Sequence, residues 1–386
     1  MNPLLSAEQA VLGAILLDPG QLAHLGWLAP AHFERPAHRA LFSAMCTLRD
    51  KHHPALAGDD VPLSWITDAV AEAGRHVRGL TDVYAHSLVQ GCPHPEHAPV
   101  YGRMVLEGAI HRTITQHAIR LHQAARADSV RGDVEGALHQ ADVLTGVLRD
   151  LSESWGAEAR PALPSGSSPL PAAPAPAESV LDDERFLLSV LIEQPGSMDA
   201  VVNWLRPSDF STTAHGLLYQ CLGALHHRGE PIDRLTVLWE AQRRGLLADG
   251  TLTREQITAL ADGVGAGDAD WLGQQVIRSS LTRTAAASAR AVRDAAEDET
   301  LTPGRLISHA LHALGPLDDV RARWDTAIGG TSPPPAPEAR EPQAEQVHAA
   351  LARSTPRAVR HVPYRPARPS TAPSTTPSRS HHRDAP

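Results

Sequence analysis

Residues 6–20 read SAEQAVLGAILLDPG, and residues 182–196 read DDERFLLSVLIEQPG. Each string opens on a residue type that caps helices, runs through a nearly unbroken apolar block, and stops at Pro-Gly, which cannot continue a helix. In the first, Ser6 and Gln9 have the spacing of a capping box, in which hydroxyl and amide satisfy orphan backbone N–H groups reciprocally. The same helix is written twice, and the sequences around it repeat as well.

After one inserted residue the match continues as Trp27-Leu28-x-Pro30-x-x-Phe33 against Trp204-Leu205-x-Pro207-x-x-Phe210. Next comes His38-x-x-Leu41-Phe42-x-x-Met45-x-x-Leu48 against His215-x-x-Leu218-Tyr219-x-x-Leu222-x-x-Leu225, whose three-and-four spacing is a helical stripe. Trp65 and Trp239 stand at matching places in the helix that follows, and Asp233 is a good N-cap for the second of these, with Gly245 as its stop. Each half then closes with two longer helices, predicted over residues 98–127 and 133–151, and over 270–297 and 303–323. The first of each pair aligns Tyr101, Val105, Ile110 and Arg112 with Trp271, Val276, Leu281 and Arg283; the second shares Ala137-Leu138-His139 with Ala310-Leu311-His312. Trp155 and Trp324 end the two halves.

Two antiparallel helices joined by a short turn make an αα-hairpin, and these carry more apolar stripe than one small head covers. Tyr101, Val105, Arg112, Trp271, Val276 and Arg283 are therefore expected to form interaction faces. The hairpin of residues 98–151 is expected to pack on that of 269–323 within the chain, as an internal pseudo-twofold.

The 386 residues suit two modules with connectors. Apolar residues make up 42% and aromatics only 4%, which favours Leu/Ala helical packing over a β-sandwich core. The expected fold class is all-α. Its organisation is read as copy 1 over residues 1–156, a Pro/Ala-rich linker over 157–177, copy 2 over 178–328, and a disordered Pro/Arg-rich tail over 329–386, with a short helix near 344–352.

A formal net charge of −9 leaves no overall electrostatic footprint for nucleic acid or an anionic membrane, so any DNA contact must be local. No run approaches the length of a membrane span and no signal peptide is evident, so a cytoplasmic address is expected. Cys46, Cys92 and Cys221 are an odd, scattered set, and no disulfide is expected. Lys51 is the only lysine; it follows Asp50, so no G-x-x-x-x-G-K-[ST] phosphate loop exists in these residues and no nucleotide cofactor is expected.

The ordered motifs resemble the N-terminal domain of bacterial replicative DNA helicases of the DnaB type. The residues that carry the resemblance are Glu8 to Ile15, the two Pro-x-x-Phe turns, the two helices opening on His38 and His215, the segment Pro231 to Thr236, and Tyr101, Val105, Glu107 and Arg112 of the first long helix. It covers roughly residues 4–155 and 179–325. Two departures stand out: such helicases carry one copy of this domain, and a RecA-like ATPase domain follows it. The resemblance implies a non-catalytic DNA-replication protein whose hairpins pair into a collar where primase docks. The implied partners are the replicative helicase, primase, or another copy of the chain. The alternative is nucleic-acid binding through the basic tail and the hairpin arginines, Arg112, Arg120, Arg126, Arg283, Arg290 and Arg293, which otherwise form solvated faces.

Cys92-Pro-His94-Pro-Glu96-His97 has metal-ligand residue types, but its prolines and its replacement by Gly267-Asp268-Ala269-Asp270 in the second half favour a surface loop; no metal is expected. His38 and His215 are expected to hydrogen-bond backbone carbonyls at helix starts, and Trp27, Trp204, Trp155 and Trp324 to pack rather than stack on bases.

Overall fold

The computed structural model describes residues 2–56, 63–156, 175–262 and 267–329. Most of the expected linker and tail, and the short helix near 344–352, lie outside the described residues. The described residues form thirteen α-helices and short 3₁₀ turns, with no strand among them. The first half contains α1 (Pro3–Leu17), α2 (Pro36–Asp50), α3 (Leu63–Gly74), α4 (Asp82–Gln90), α5 (Ala98–Arg131) and α6 (Glu135–Trp155). The second contains α7 (Glu178–Glu193), α8 (Met198–Val201), α9 (Thr213–His227), α10 (Arg234–Arg243), α11 (Arg254–Ala261), α12 (Ala269–Glu297) and α13 (Pro303–Ala327).

Helix ends follow local chemistry and correct several expected boundaries. Ser6 is not the cap of α1: the helix starts at Pro3, whose missing N–H costs nothing there, and the Asn2 side chain accepts from Leu4 N at 2.9 Å. Asp182 likewise lies inside α7, one turn past its start at Glu178. The long helix α5 runs past residue 127 to Arg131 and stops at Gly132, whose φ of 71° is left-handed; α6 ends the same way at Gly156, φ 72°. Asp233 caps α10 as expected, accepting from Leu235 N and Thr236 N.

The expected match of Trp65 with Trp239 is off by two residues. Trp65 is fully buried and donates Nε1–H to the Ile15 carbonyl at 3.1 Å, whereas Trp239 is 60% exposed and Val237 holds the buried place on α10. A second slip affects the long helices. A Cβ on Gly102 would meet Leu25 at 2.8 Å and the Trp27 ring at 3.2 Å; on Gly273 it would meet the Trp204 ring at 2.6 Å. The two glycines thus take the same place under the two tryptophans, so Tyr101 corresponds to Leu272 and Trp271 to Val100.

Two cores result. One lies inside the first head and gathers α1 to α4 with the start of α5, from Ala7 to Val105. The other joins the second head to both hairpins: Ile110, Ile114, Ala118, Leu121 and Ala125 of α5 and Leu144 and Leu148 of α6 share it with Leu281, Ala285, Ala289 and Val292 of α12. Burial of a leucine or isoleucine side chain stabilises by roughly 1.5–3 kcal/mol, so this shared stripe holds the halves together.

Candidate functional site

The Pro-x-x-Phe turn is the point on which each head is built, and each turn is gripped from two sides. In the first half Glu8 of α1 accepts from the backbone N–H of Glu34, just after Phe33, and from His38 Nδ1 at 2.6 Å. Arg112 of α5 donates to the carbonyl of His32, just before Phe33, at 2.5 Å. The second half repeats the grip: Glu184 of α7 accepts from Ser211 N at 2.6 Å and from His215 Nδ1 at 2.6 Å, and Arg283 of α12 donates to the Asp209 carbonyl at 2.7 Å. Asp209 adds a carboxylate that accepts from Arg206 N at 2.7 Å, Ser280 Oγ at 2.9 Å and the buried Arg323.

These contacts correct the expectation that His38 and His215 would bond backbone carbonyls. A buried carboxylate left without donors costs several kcal/mol, and the histidine is the donor within reach. Burial alone would push the Glu8 carboxyl up, but donation from His38 and from the Glu34 backbone outweighs it and holds the group below its ordinary value. Because an ionised carboxylate only accepts, His38 carries its proton on Nδ1, leaving Nε2 to pair with the Tyr84 hydroxyl at 2.7 Å. Glu8, His38 and Tyr84 have the look of an acid–base relay, but His38 is completely enclosed and no substrate can reach it. The set fixes α1 to α2 and α4.

The six residues expected on the hairpin interaction faces separate into two groups. Val105 and Val276 are buried, and Arg112 and Arg283 hold the turns, so these four are engaged by their own chain. Burial pulls both guanidinium groups below the ordinary arginine value, opposed by Glu8 and Glu34 at one and Glu184 and Asp209 at the other. Tyr101 is half-buried against His97, and Trp271 stands 54% exposed.

The hairpins meet along α5 and α12, which run antiparallel. His111 reaches the carbonyls of Ala296 at 2.8 Å and Leu301 at 3.1 Å, and His122 reaches that of Ala286 at 3.4 Å. At the far end Gly132 lies against the Arg278 guanidinium, where a Cβ would come within 3.5 Å. Arg321 of α13 donates to Asp142 of α6, one of its two bonds measuring 3.1 Å. No sequence signal pointed to His111, because a histidine's partner on another helix cannot be read from spacing.

Cys92 to His97 forms a bend and a 3₁₀ turn with His94 3.4 Å from Glu96. Among the described residues no group of three or more His, Cys, Asp or Glu side chains is placed to hold a metal, and no helix is long and apolar enough to cross a membrane.

The described residues thus form an all-helical fold of two heads and paired hairpins, held by enclosed polar contacts. The chain belongs to the DnaB-like helicase N-terminal domain family, which matches residues 1–107 and 176–267. It is 32% identical over 122 residues to the replicative DNA helicase DnaB of Geobacillus stearothermophilus and 30% identical over 122 residues to the replicative DNA helicase DnaC of Bacillus subtilis. Each alignment covers 31% of this chain and 25% of the relative, so the chain spans about a quarter of the length of these relatives.

Proposed function

We propose that this chain is a non-catalytic, replication-associated interaction protein: two copies of the helicase N-terminal module, over residues 1–156 and 178–328, paired through their own hairpins. The observation that carries this reading is the antiparallel contact of α5 with α12, anchored by His111 on Ala296 and Leu301. The apolar stripe that a hairpin would offer a second molecule is used within the chain. What remains for a replicative helicase or primase is the outer face, where Tyr101, Val100 and Trp271 stand near the start of the long helices.

Affinity capture of the full chain from its native cells, with chemical cross-linking, tests the proposal. Cross-links from the region of residues 98–103 or 268–273 to helicase or primase are expected, and Trp271→Ala is expected to weaken them. Recovery of no replisome component would overturn it, and ATP hydrolysis by the pure chain would overturn its non-catalytic part.

The nucleic-acid alternative loses two of its hairpin arginines, Arg112 and Arg283, to backbone carbonyls. It then rests chiefly on the basic tail. The salt dependence of DNA affinity, compared between the full chain and a chain ending at Gly329, decides it, since phosphate contacts give a steep salt slope.

A further inference from the structure

A neutral imidazole has one N–H and one lone pair, so only the imidazolium donates from both ring nitrogens. Three histidines differ on this point. His38 sets Nδ1 on the Glu8 carboxylate and Nε2 on the Tyr84 hydroxyl, which can itself donate. His122 reaches a single carbonyl, that of Ala286. His111 stands between two carbonyl oxygens, Ala296 at 2.8 Å from Nδ1 and Leu301 at 3.1 Å from Nε2, and a carbonyl only accepts.

Both oxygens sit where a positive donor is favoured. Ala296 lies in the last turn of α12, whose carbonyls have no intrahelical partner, and Leu301 lies in the turn that leads to α13. A cation there meets the negative end of the α12 dipole. The carboxylate of Asp298, which closes α12, adds a second attraction. Donation from the Thr300 hydroxyl and N–H holds that carboxyl below its ordinary value, and the charges of His111 and His309 add to the effect.

The other charged groups of the surrounding helices are engaged elsewhere or exposed. Burial, with Arg305 and His312 beside it, pushes His309 of α13 down, so it competes little for Asp298. On α5 itself Arg112 is turned to the His32 carbonyl, and Glu107 lies one turn back from His111. Arg293 of α12 is drawn to Asp294 and Glu297, at 3.6 and 3.5 Å. The last charged residues of α6, Arg149, Asp150 and Glu153, are exposed.

The place of the ring gives the contact its consequence. On α5 the buried core of the first head ends at Val105 and the shared core begins at Ile110, so His111 stands at the junction and ties it to the α12–α13 turn. We propose that this junction is a proton-dependent clasp: His111 bridges Ala296 and Leu301 as an imidazolium, and when it gives one proton to water a ring lone pair faces one of the two oxygens and that contact opens. The inference rests on the pairing of α5 with α12 and goes beyond it by making the pairing depend on pH. Because the paired form holds the proton, the stabilisation is present in acid and is lost as pH rises.

Nitrogen-15 labelling of the histidine rings in the full chain, read by long-range proton–nitrogen spectra, tests the clasp; the His111 signals are those missing from His111→Gln or His111→Asn. At about pH 7.5, where an ordinary histidine of about 6.5 is roughly nine-tenths neutral, both His111 nitrogens are expected to carry protons, with through-space contacts to residues 296 and 301. One protonated nitrogen with those contacts kept would overturn the clasp and leave the pairing intact, whereas absence of the contacts would overturn the pairing as well. Urea unfolding gives a second readout. The advantage of the unaltered chain over His111→Gln in the folded-to-unfolded ratio is expected to grow about tenfold from about pH 8.5 to about pH 5.5, since bonds from a charged donor are the stronger ones. The other histidines are common to both chains and cancel. An advantage that stays constant over that range would overturn the proposal.

Discussion

Glu8 and His38 meet at 2.6 Å in the first head with side chains 3% and 0% exposed, thirty positions apart in the chain. Removing the carboxylate leaves two donors, the buried His38 ring N–H and the Glu34 backbone N–H, without their acceptor, at a combined cost of about 3 kcal/mol. Glu8→Ala is expected to lower stability by that order, and Glu184→Ala similarly in the second head, where the glutamate is equally enclosed. Urea unfolding checks this; a loss under about 1 kcal/mol in both would show that the pair does not organise the turns.

Gly13→Ala is expected to destabilise the first head by about 2 kcal/mol, the cost of forcing a methyl into a closed helix crossing. The added carbon would sit 2.2 Å from the Leu88 oxygen and 2.9 Å from Cys92 Cβ. The reciprocal change, Ser189→Gly, meets no such barrier and is expected to cost roughly 0.5–1 kcal/mol, from helix propensity. Thermal unfolding that ranked the two the other way would show that α1 and α4 are not in backbone contact.

The hairpin pairing predicts an asymmetry between two contacts that look equally polar. His111 is half-buried between two carbonyls, and His111→Ala is expected to cost about 1–2 kcal/mol. The Arg321–Asp142 pair is solvent-exposed, with side chains 36% and 57% accessible, so Arg321→Ala is expected to cost about 0.5 kcal/mol or less. Equal losses in denaturant unfolding would mean that the hairpins are held by surface charge instead of by their shared core.

Acid is expected to loosen both heads. Donation from Arg244 holds the buried Glu240 carboxyl down; burial opposes it and Arg228 adds to it. Glu8 is also held below the ordinary glutamate value of 4.5. For a group whose folded value lies below its unfolded one, the stabilisation is complete above the unfolded value and is lost as pH falls through the folded one. The urea midpoint is therefore expected to fall between about pH 5.5 and pH 3, and Glu8→Gln and Glu240→Gln chains are expected to show a weaker fall over that range.

Much of this was legible in the chain itself. The doubled helix strings, the Pro-x-x-Phe turns and the predicted hairpins gave the all-α class, whereas Val105 and Val276, expected on interaction faces, are buried within the chain. Boundaries slipped where a cap one turn away won over the expected one, as with Asn2 ahead of Ser6. Register slipped by two between Trp65 and Trp239, and by one between Tyr101 and Trp271, because residue type alone was matched and neither burial nor the glycine contacts were visible.

By itself the sequence determined that the chain folds as helices and which stripes of those helices are apolar, since both follow from spacing along one strand of residues. Only the tertiary structure decided that Glu8 and Glu184 are held by His38 and His215, that Arg112 and Arg283 grip backbone carbonyls, and that His111 reaches Ala296 across 185 positions. A buried polar group takes whichever donor or acceptor the packed helices bring within about 3 Å, and that neighbour has no fixed distance along the chain.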